Sequence, residues 1–379
     1  MINPIDFIQY LADKGSGFFT GIPDSTFKGL TALFDSGAAG FVHLGASNEC
    51  EAMGIAAGYH LSTGRIPVVY MQNSGFGKTV NPYTSLTARD VYSMPVLMII
   101  GWRGEPGIKD EPQHKMMGRI LPDLLRTLEI ESVVLDPDDW MQNVDMALDY
   151  CRRQNAAFAL VVRSGVFAES PAKDKAPVST LPLREEILER LVQSSPTDAL
   201  FISTTGKTSR ELYEIRDRLQ MSHANDFYTV GSMGCASSIA LGVSHGDHNR
   251  PIFILDGDGA ALMQMGTFAA LGKHGQDRKI THVLIDNQAH ESTGGQPTLS
   301  STVSFQRIAE GCGYQAVLVA NNLQEFEDCL GRIGGNDSLK LLVVRSRKGS
   351  RPDLGRPKTS PIENRINFME SIRNGQAVS

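Results

Sequence analysis

"PIFILDGDGAALMQMGTFAALGKHGQDRKITHVLIDNQ", residues 251–288, decides how this chain folds. The apolar run Ile252–Leu255 is too short for a buried helix and stops at Gly-Asp-Gly. It reads as a strand covered on both faces. A helix follows, from about Leu262 to Lys273, and a second apolar run, His282–Ile285, leads to Asp286 and Asn287. Strand, turn, helix and strand make a βαβ unit, and its two strands are parallel. Asp258 and Asn287 lie 287 − 258 = 29 positions apart. Both then fall at carboxyl ends of parallel strands, where open α/β sheets bind ligands. A carboxylate and an amide oxygen are hard donors that suit Mg²⁺ shared with phosphate oxygens. Gly257 and Gly259 let the backbone come close to a phosphate. Gly-Asp-Gly on its own also serves as a plain turn; the strand before it and Asn287 after it favour the ligand reading.

The same alternation continues outward. Strand candidates in the first half are Gly17–Thr20, Phe41–Leu44, Pro67–Met71, Val96–Gly101, Ser132–Leu135 and Phe158–Val162. In the second half they are Ala199–Ser203, Phe227–Val230, Ile252–Leu255, His282–Ile285 and Leu339–Val344. This predicts α/β architecture with two doubly wound parallel-sheet domains and no visible sequence repeat between them. "VFAESPAKDKAPVSTLP" is rich in Pro, Ala, Ser and Lys and has no periodicity. The predicted division is a first domain at 1–165, a linker at 166–182 and a second domain at 183–379.

The 379 residues carry a net charge of −6 and no long basic run, which argues against a nucleic-acid partner. Five cysteines, Cys50, Cys151, Cys235, Cys312 and Cys329, form no C-x-x-C pair, which fits a reducing cytoplasm. The first residues, "MINPIDFIQYLADKG", read as an amphipathic helix with acids rather than a signal peptide. No apolar stretch is long enough to span a bilayer.

"STTGKTSREL", residues 203–212, poses a separate question. Gly206, Lys207 and Thr208 match the end of a nucleotide-binding P-loop, but the earlier glycine of that motif would stand at Phe201. A P-loop ATPase is therefore the distant alternative. A glycine, a lysine and several hydroxyls at a helix start still make an anion site.

In the first half, "HLGASNECEAMGIAAGYHLSTG", residues 43–64, places two acids in a first helical turn. Ser47 or Asn48 caps that helix, and Gly64 stops it. Glu49 and Glu51 both suit the positive end of the helix dipole.

Gly-Asp-Gly followed at this spacing by an asparagine resembles the diphosphate signature of thiamine diphosphate enzymes. In their pattern an Asn pair ends the motif; here the pair is Asp286-Asn287. The resemblance implies Mg²⁺ ligands at Asp258, Asn287 and the carbonyl of Ala289, with Gly257, Gly259 and Ala260 against the cofactor. It also implies a glutamate that bonds the cofactor's pyrimidine from the other kind of domain. "ASNE" followed by "AAGYHLSTG" assigns that role to Glu49 and leaves Glu51 to the helix terminus.

"FFTGIPDSTFK", "AAGYHLSTGRIPVVYMQNSGFGKTVNP", "IGWRGEPGIKDEPQH", "STTGKTSREL", "GSMG" and "AHESTGGQPT" together resemble the phosphonopyruvate decarboxylase family. The resemblance runs from about Phe18 to about Thr298. It implies a pyrimidine-binding and a diphosphate-binding domain without a middle domain. It implies thiamine diphosphate and Mg²⁺ as cofactors, and decarboxylation of 3-phosphonopyruvate to phosphonoacetaldehyde in phosphonate biosynthesis. Sulfopyruvate is the alternative substrate. Active sites are expected at subunit interfaces of a cytoplasmic homo-oligomer.

By the same resemblance, Thr205, Gly206 and Thr208 hold the cofactor's diphosphate, with Lys207 either neutralising it or solvated. Met233, beside Ser232, is the apolar wedge that bends the cofactor; Cys235 stands where the family usually has His. Asn73, Ser74 and Gly75 belong to the cofactor surface, and Asn73 and Ser74 are also candidate donors to the substrate's anionic group. Ser25, Arg103 and Lys109 are further substrate candidates, the last two on a loop, Gly101–His114, that reads as a lid. His114 and His290 are either proton relays or structural.

Overall fold

The computed structural model describes residues 1–34, 40–169, 179–246, 250–333 and 338–376. The chain divides into two compact units, Met1–Lys175 with Thr293–Pro297 and Ala176–Ser292 with Thr298–Ser379.

The first unit contains strands β1 (Phe18–Gly21), β2 (Val42–Gly45), β3 (Val68–Gln72), β4 (Leu97–Gly101), β5 (Glu131–Val134) and β6 (Phe158–Val162). Its helices are α1 (Pro4–Asp13), α2 (Lys28–Phe34), α3 (Glu49–Thr63), α4 (Phe76–Pro82), α5 (Pro112–Thr127) and α6 (Trp140–Gln154). The strands form one parallel sheet in the order β2-β1-β3-β4-β6-β5.

The second unit contains β7 (Leu200–Ser203), β8 (Asp226–Tyr228), β9 (Ile252–Gly257), β10 (Ile280–Asp286), β11 (Ala316–Ala320) and β12 (Lys340–Arg345). Among them run α7 (Arg184–Ser194), α8 (Lys207–Arg218), α9 (Ala236–Ser244), α10 (Asp258–Met263) and α11 (Gly266–His274). Later come α12 (Phe305–Gly311), α13 (Leu323–Ile333) and α14 (Pro361–Gln376). Its sheet is parallel too, in the order β11-β12-β10-β9-β7-β8. Numbered within each unit, both sheets read 2-1-3-4-6-5. One topology is thus built twice from sequences with no visible repeat. Only 21 residues separate Val162 from Arg184 (184 − 162 − 1), too few for a middle domain.

Each central strand is an unbroken apolar run because both of its faces are covered. Phe253, Leu255, Val283 and Ile285 enter one core beside Ile187 and Leu191. Their neighbours Ile252, Ile254, Ile280 and Leu284 enter another, beside Phe268 and Leu271. The period of two thus separates two cores across one sheet. A residue with a polar task is pushed to the strand ends.

The topology selects which ends. From β1 the chain steps outward to β2, then crosses to β3 on the other side of β1. The second sheet does the same around β7 and β9. Crossovers that diverge in this way leave a crevice at the carboxyl edge. In the first sheet that edge carries Ile22–Ser25 and Asn73–Gly75; in the second it carries Thr204–Thr208 and Asp258.

Several expectations are corrected. The helix expected at about Leu262–Lys273 is two helices, broken where Gln264 leaves helical geometry (φ −133°, ψ 45°). The first begins at Asp258 itself, whose carboxylate suits a first turn. The strand expected at Phe227–Val230 is Asp226–Tyr228, because the Thr229 hydroxyl bonds the Ser203 carbonyl beyond it. Edge strand β11 has no counterpart among the expected strands. Val166 and Phe167, expected as linker, are buried in the first core and flank Ile2 in a backbone bridge. Residues 170–178 of the expected linker lie outside the described residues.

Candidate active site

At the first sheet's edge, α3 starts where β2 has ended. Asn48 is its N-cap and accepts the Glu51 N–H at 3.0 Å. The Glu51 carboxylate reaches back to the N–H and hydroxyl of Ser47, both at 2.6 Å. Glu51 is therefore a capping acid. Glu49 has a different setting. It is buried, and its Oε2 has no hydrogen-bond partner. Lys78 Nζ stands 3.8 Å from that oxygen, beyond hydrogen-bond reach. The other oxygen lies over bare backbone: a Cβ on Gly75 would come within 2.0 Å of Oε1. Gly75 thus makes room for the Glu49 carboxylate.

Arg103 organises the neighbouring polar groups. Its Nε and Nη2 bond the two carboxylate oxygens of Asp110 at 2.8 and 2.6 Å, and Nη1 donates to Ser25 Oγ at 3.0 Å. Asn73 holds the backbone at the same residue, donating to the Arg103 carbonyl at 2.7 Å and accepting its N–H at 3.3 Å. Ser74 donates to Gln72 Oε1, and Gln72 donates to Asp24 Oδ1. Burial opposes ionisation of Asp110, but bonds from Arg103, Glu111 N–H and Gly104 N–H outweigh it and hold its carboxyl far below the usual range. The Asp110 bond raises Arg103 in turn. Burial, helped by the Arg103 charge, lowers His114, whose Nδ1 has no partner.

The loop expected as a lid is tied down at its root by these bonds and by Gly104, whose φ of +72° and close approach to the His114 carbonyl exclude a side chain. Ile108 and Lys109 at its middle are exposed. Ser25, Asn73 and Arg103 therefore form one bonded set, and Lys109 stands outside it.

At the second sheet's edge, Gly206 is the N-cap of α8 with φ +99° and ψ −138°, a backbone state that demands glycine. Thr205, Gly206 and Lys207 are half-buried and Thr208 is buried. Ser209 ties the turn by donating to the Thr204 carbonyl at 2.7 Å, and Thr204 Oγ1 is a buried oxygen with no partner. The Lys207 charge helps hold the Glu291 carboxyl below its usual range, after bonding by Arg184, although burial opposes this. Ser232 adopts φ +53°, unusual for a side-chain-bearing residue. Gly234, at φ +90°, lies so close to Ala260 O and Gln264 that a Cβ would clash. The Ser232–Met233 turn and the Gly257–Ala260 turn are therefore packed together.

Asp258 is buried, and burial, reinforced by the nearby Asp286 charge, raises its carboxyl to about 6 despite a hydrogen bond from Thr298. Asn287 Oδ1 accepts the Ala289 N–H at 3.0 Å, folding the two expected ligands into one turn through Gln288 at φ +56°. His290 lies over Gly259, with Cε1 3.0 Å from where a Cβ would be. Burial lowers His290 to about 4, so its imidazole is neutral at neutral pH. Among the described residues, no three His, Cys, Asp or Glu side chains cluster as a metal site. The donors gathered at Asp258 and Asn287 are instead oxygens that suit a cation shared with phosphate.

Sequence reasoning missed Asp24, Asp110, Thr298 and Ser300. Asp110 lies within a stretch already quoted, "KDEP", but its pairing with Arg103 depends on the loop's glycine turns.

Residues 6–127 match the family described as "Thiamine pyrophosphate enzyme, N-terminal TPP binding domain", and residues 204–344 match its "C-terminal TPP binding domain". The chain is 38% identical over 386 residues to a phosphonopyruvate decarboxylase of Streptomyces viridochromogenes, covering 96% of this chain and 93% of that one. It is 37% identical to a phosphonopyruvate decarboxylase of Streptomyces hygroscopicus, covering 98% and 94%. It is 30% identical over 197 residues to the sulfopyruvate decarboxylase subunit beta of Methanocaldococcus jannaschii, covering 51% of this chain and 98% of that subunit.

The Glu49–Gly75 packing is open to a direct test. Gly75→Ala should displace the carboxylate and cost about 1–3 kcal/mol of stability. In a chain already carrying Glu49→Ala the same change should cost little. Urea unfolding of the four proteins in this cycle measures the coupling; an equal cost in both backgrounds would refute the contact.

Proposed function

The chain belongs to the phosphonopyruvate decarboxylase family of thiamine diphosphate-dependent carboxy-lyases, and we propose that it decarboxylates 3-phosphonopyruvate to phosphonoacetaldehyde with Mg²⁺ as its second cofactor. The observation that carries the substrate is the likeness to two phosphonopyruvate decarboxylases over almost the whole chain. The Arg103–Ser25 pair adds a chemical reason. A guanidinium with donors left beyond Asp110, set beside a hydroxyl, suits a phosphonate oxygen.

The residues present fit the cofactor. Glu49 offers a buried carboxylate oxygen with no hydrogen-bond partner, beside a glycine that keeps the surface bare. Thr205, Gly206 and Thr208 open the twelve-residue helix α8, whose free N–H groups suit a diphosphate. Asp258, Asn287 and the Ala289 carbonyl are the oxygens that would hold Mg²⁺, and a cation answers the burial that raises Asp258. The first unit is then the pyrimidine-binding domain and the second the diphosphate-binding domain.

Bound thiamine diphosphate supplies a carbon nucleophile and an electron sink for breaking a bond beside a carbonyl. The protein's part is positional and acid–base. Glu49 would hold the pyrimidine ring and share a proton with it. Met233, on the turn packed against Ala260, would support the ring system. Ser25 and Arg103 orient the substrate's anionic end, with Asn73 fixing the Arg103 backbone. His290 and His114 are the candidate proton relays to carbon. Release of CO₂ makes the step irreversible, which suits a place in phosphonate biosynthesis just after an unfavourable phosphonate-forming isomerisation. The protein acts as a cytoplasmic homo-oligomer. The described residues contain no helix long and apolar enough to cross a membrane.

Sulfopyruvate is the second reading, favoured by the likeness to a sulfopyruvate decarboxylase subunit. Side-by-side turnover with thiamine diphosphate and Mg²⁺ decides. Phosphonopyruvate should show the higher kcat/KM by about tenfold or more, and the reverse order would reassign the substrate.

Glu49→Gln should keep cofactor binding and lose on the order of a hundredfold to ten-thousandfold in rate, because a proton-sharing partner is removed. Glu51→Gln should lose little, since that acid caps α3. Hydrogen–deuterium exchange at C2 of the bound cofactor separates them: slow exchange in Glu51→Gln, or parent-like exchange in Glu49→Gln, would exchange the two roles.

Sedimentation of the active protein should show a dimer or larger assembly. A monomer that turns over at full rate would overturn the oligomer.

A further inference from the structure

Asp286 stands where the thiamine diphosphate signature has its first asparagine, so the second unit carries one more negative charge beside Asp258 than that pattern needs. Both carboxylates are about 2% exposed. Two buried acids this close are unfavourable unless something neutralises or separates them. The structure does both. Arg345, at the end of β12, donates from Nη1 to Asp286 Oδ2. Ser300 donates its hydroxyl to Asp286 Oδ1 at 3.0 Å. The Ser300 N–H donates to Thr298 Oγ1 at 3.3 Å, and the Thr298 hydroxyl donates to Asp258 Oδ2.

Donor chemistry fixes the direction of this chain. Arginine only donates and an ionised carboxylate only accepts. Ser300 therefore points its proton at Asp286, and Thr298 turns its proton to Asp258. The two hydroxyls are 3.0 Å apart and wholly or almost wholly buried, so water does not compete for them.

We infer that Arg345 and Asp286 form a positioning pair that, through Ser300 and Thr298, orients the Asp258 carboxylate for the cation. This rests on the reading of Asp258 as a Mg²⁺ ligand. Asp286 is the fixed acceptor that orders the hydroxyls, and Arg345 cancels its charge, so the site gains order without a second anion competing for the metal.

The test is the Mg²⁺ dissociation constant, by titration calorimetry at a fixed excess of thiamine diphosphate, together with the melting temperature of the cofactor-free protein. Ser300→Ala breaks the chain without changing charge. Asp286→Asn strands the Arg345 charge. Each should weaken Mg²⁺ binding by about tenfold or more, the range for groups that orient metal ligands. Asp286→Asn with Arg345→Gln removes both charges while the amide oxygen still accepts from Ser300, and should recover most of the loss seen for Asp286→Asn. Ser300→Ala should leave the cofactor-free melting temperature almost unchanged, which a merely structural role would not. Mg²⁺ binding within twofold of the parent in both single variants, or no recovery in the double variant, would overturn the pair's role. Asp258→Ala is the control that separates the two claims. If it binds Mg²⁺ like the parent, the ligand reading itself fails. If it loses the cation while the other variants do not, only the positioning pair fails.

Discussion

Parallel pairing of β9 with β7 on one side and β10 on the other is the constraint from which the second unit follows. Hydrogen bonding in register sends all three carboxyl ends to one edge, and burial on both faces leaves that edge as the place for polar atoms. Asp256, the last side chain of β9 still inside the sheet, shows what it costs to ignore this. It is almost fully buried, its Oδ1 is bonded by the Gly257 N–H, and its Oδ2 finds only His282 Nε2 at 3.4 Å. Two residues on, Asp258 has cleared the sheet, and the chain turns directly into a helix. The first unit obeys the same rule with other residues: Glu49, Asn73 and Arg103 follow the carboxyl ends of β2, β3 and β4.

The two edges handle charge in opposite ways. At the first, Arg103 and Asp110 pair in a two-pronged bond that keeps both ionised, and burial with the Arg103 charge lowers the neighbouring His114. At the second, burial and the Asp286 charge raise Asp258 to about 6 despite the bond from the Thr298 hydroxyl. A paired carboxylate is neutralised within the protein, whereas one held by neutral donors suits an external cation.

Much of this was legible in the sequence because it depends on local order. Eleven of the strands appear as short apolar runs between turn residues, and Glu49, Gly206, Asp258 and Asn287 follow those runs directly. What stayed hidden depends on distance along the chain. Thr298 lies forty positions from Asp258, and Arg345 fifty-nine from Asp286. No local pattern announces such partners. Edge strand β11 escaped although Val317–Leu318–Val319 is apolar; it pairs with β12 alone and only Ala320 is buried. The break at Gln264, whose side chain lies against Gly234 just before Gly266 opens the next helix, also escaped. Asp110 escaped because its loop must first turn at Gly104 before carboxylate and guanidinium meet.

The five residues Thr293–Pro297 belong to the first unit although everything around them in sequence belongs to the second. Gln296 donates to Thr31 Oγ1 at 2.9 Å in a buried bond, so this segment is stitched into α2. A ribosome making the protein therefore releases most of the first unit long before its last piece. The gap is 293 − 175 = 118 residues, or roughly 6–24 s at bacterial-to-eukaryotic elongation speeds of about 5–20 residues per second. During that interval all six strands of the first sheet have been synthesised, but the segment that bonds Thr31 has not. That segment is made only after four of the second sheet's six strands, so completion of the amino-terminal half waits on translation of the carboxyl-terminal half.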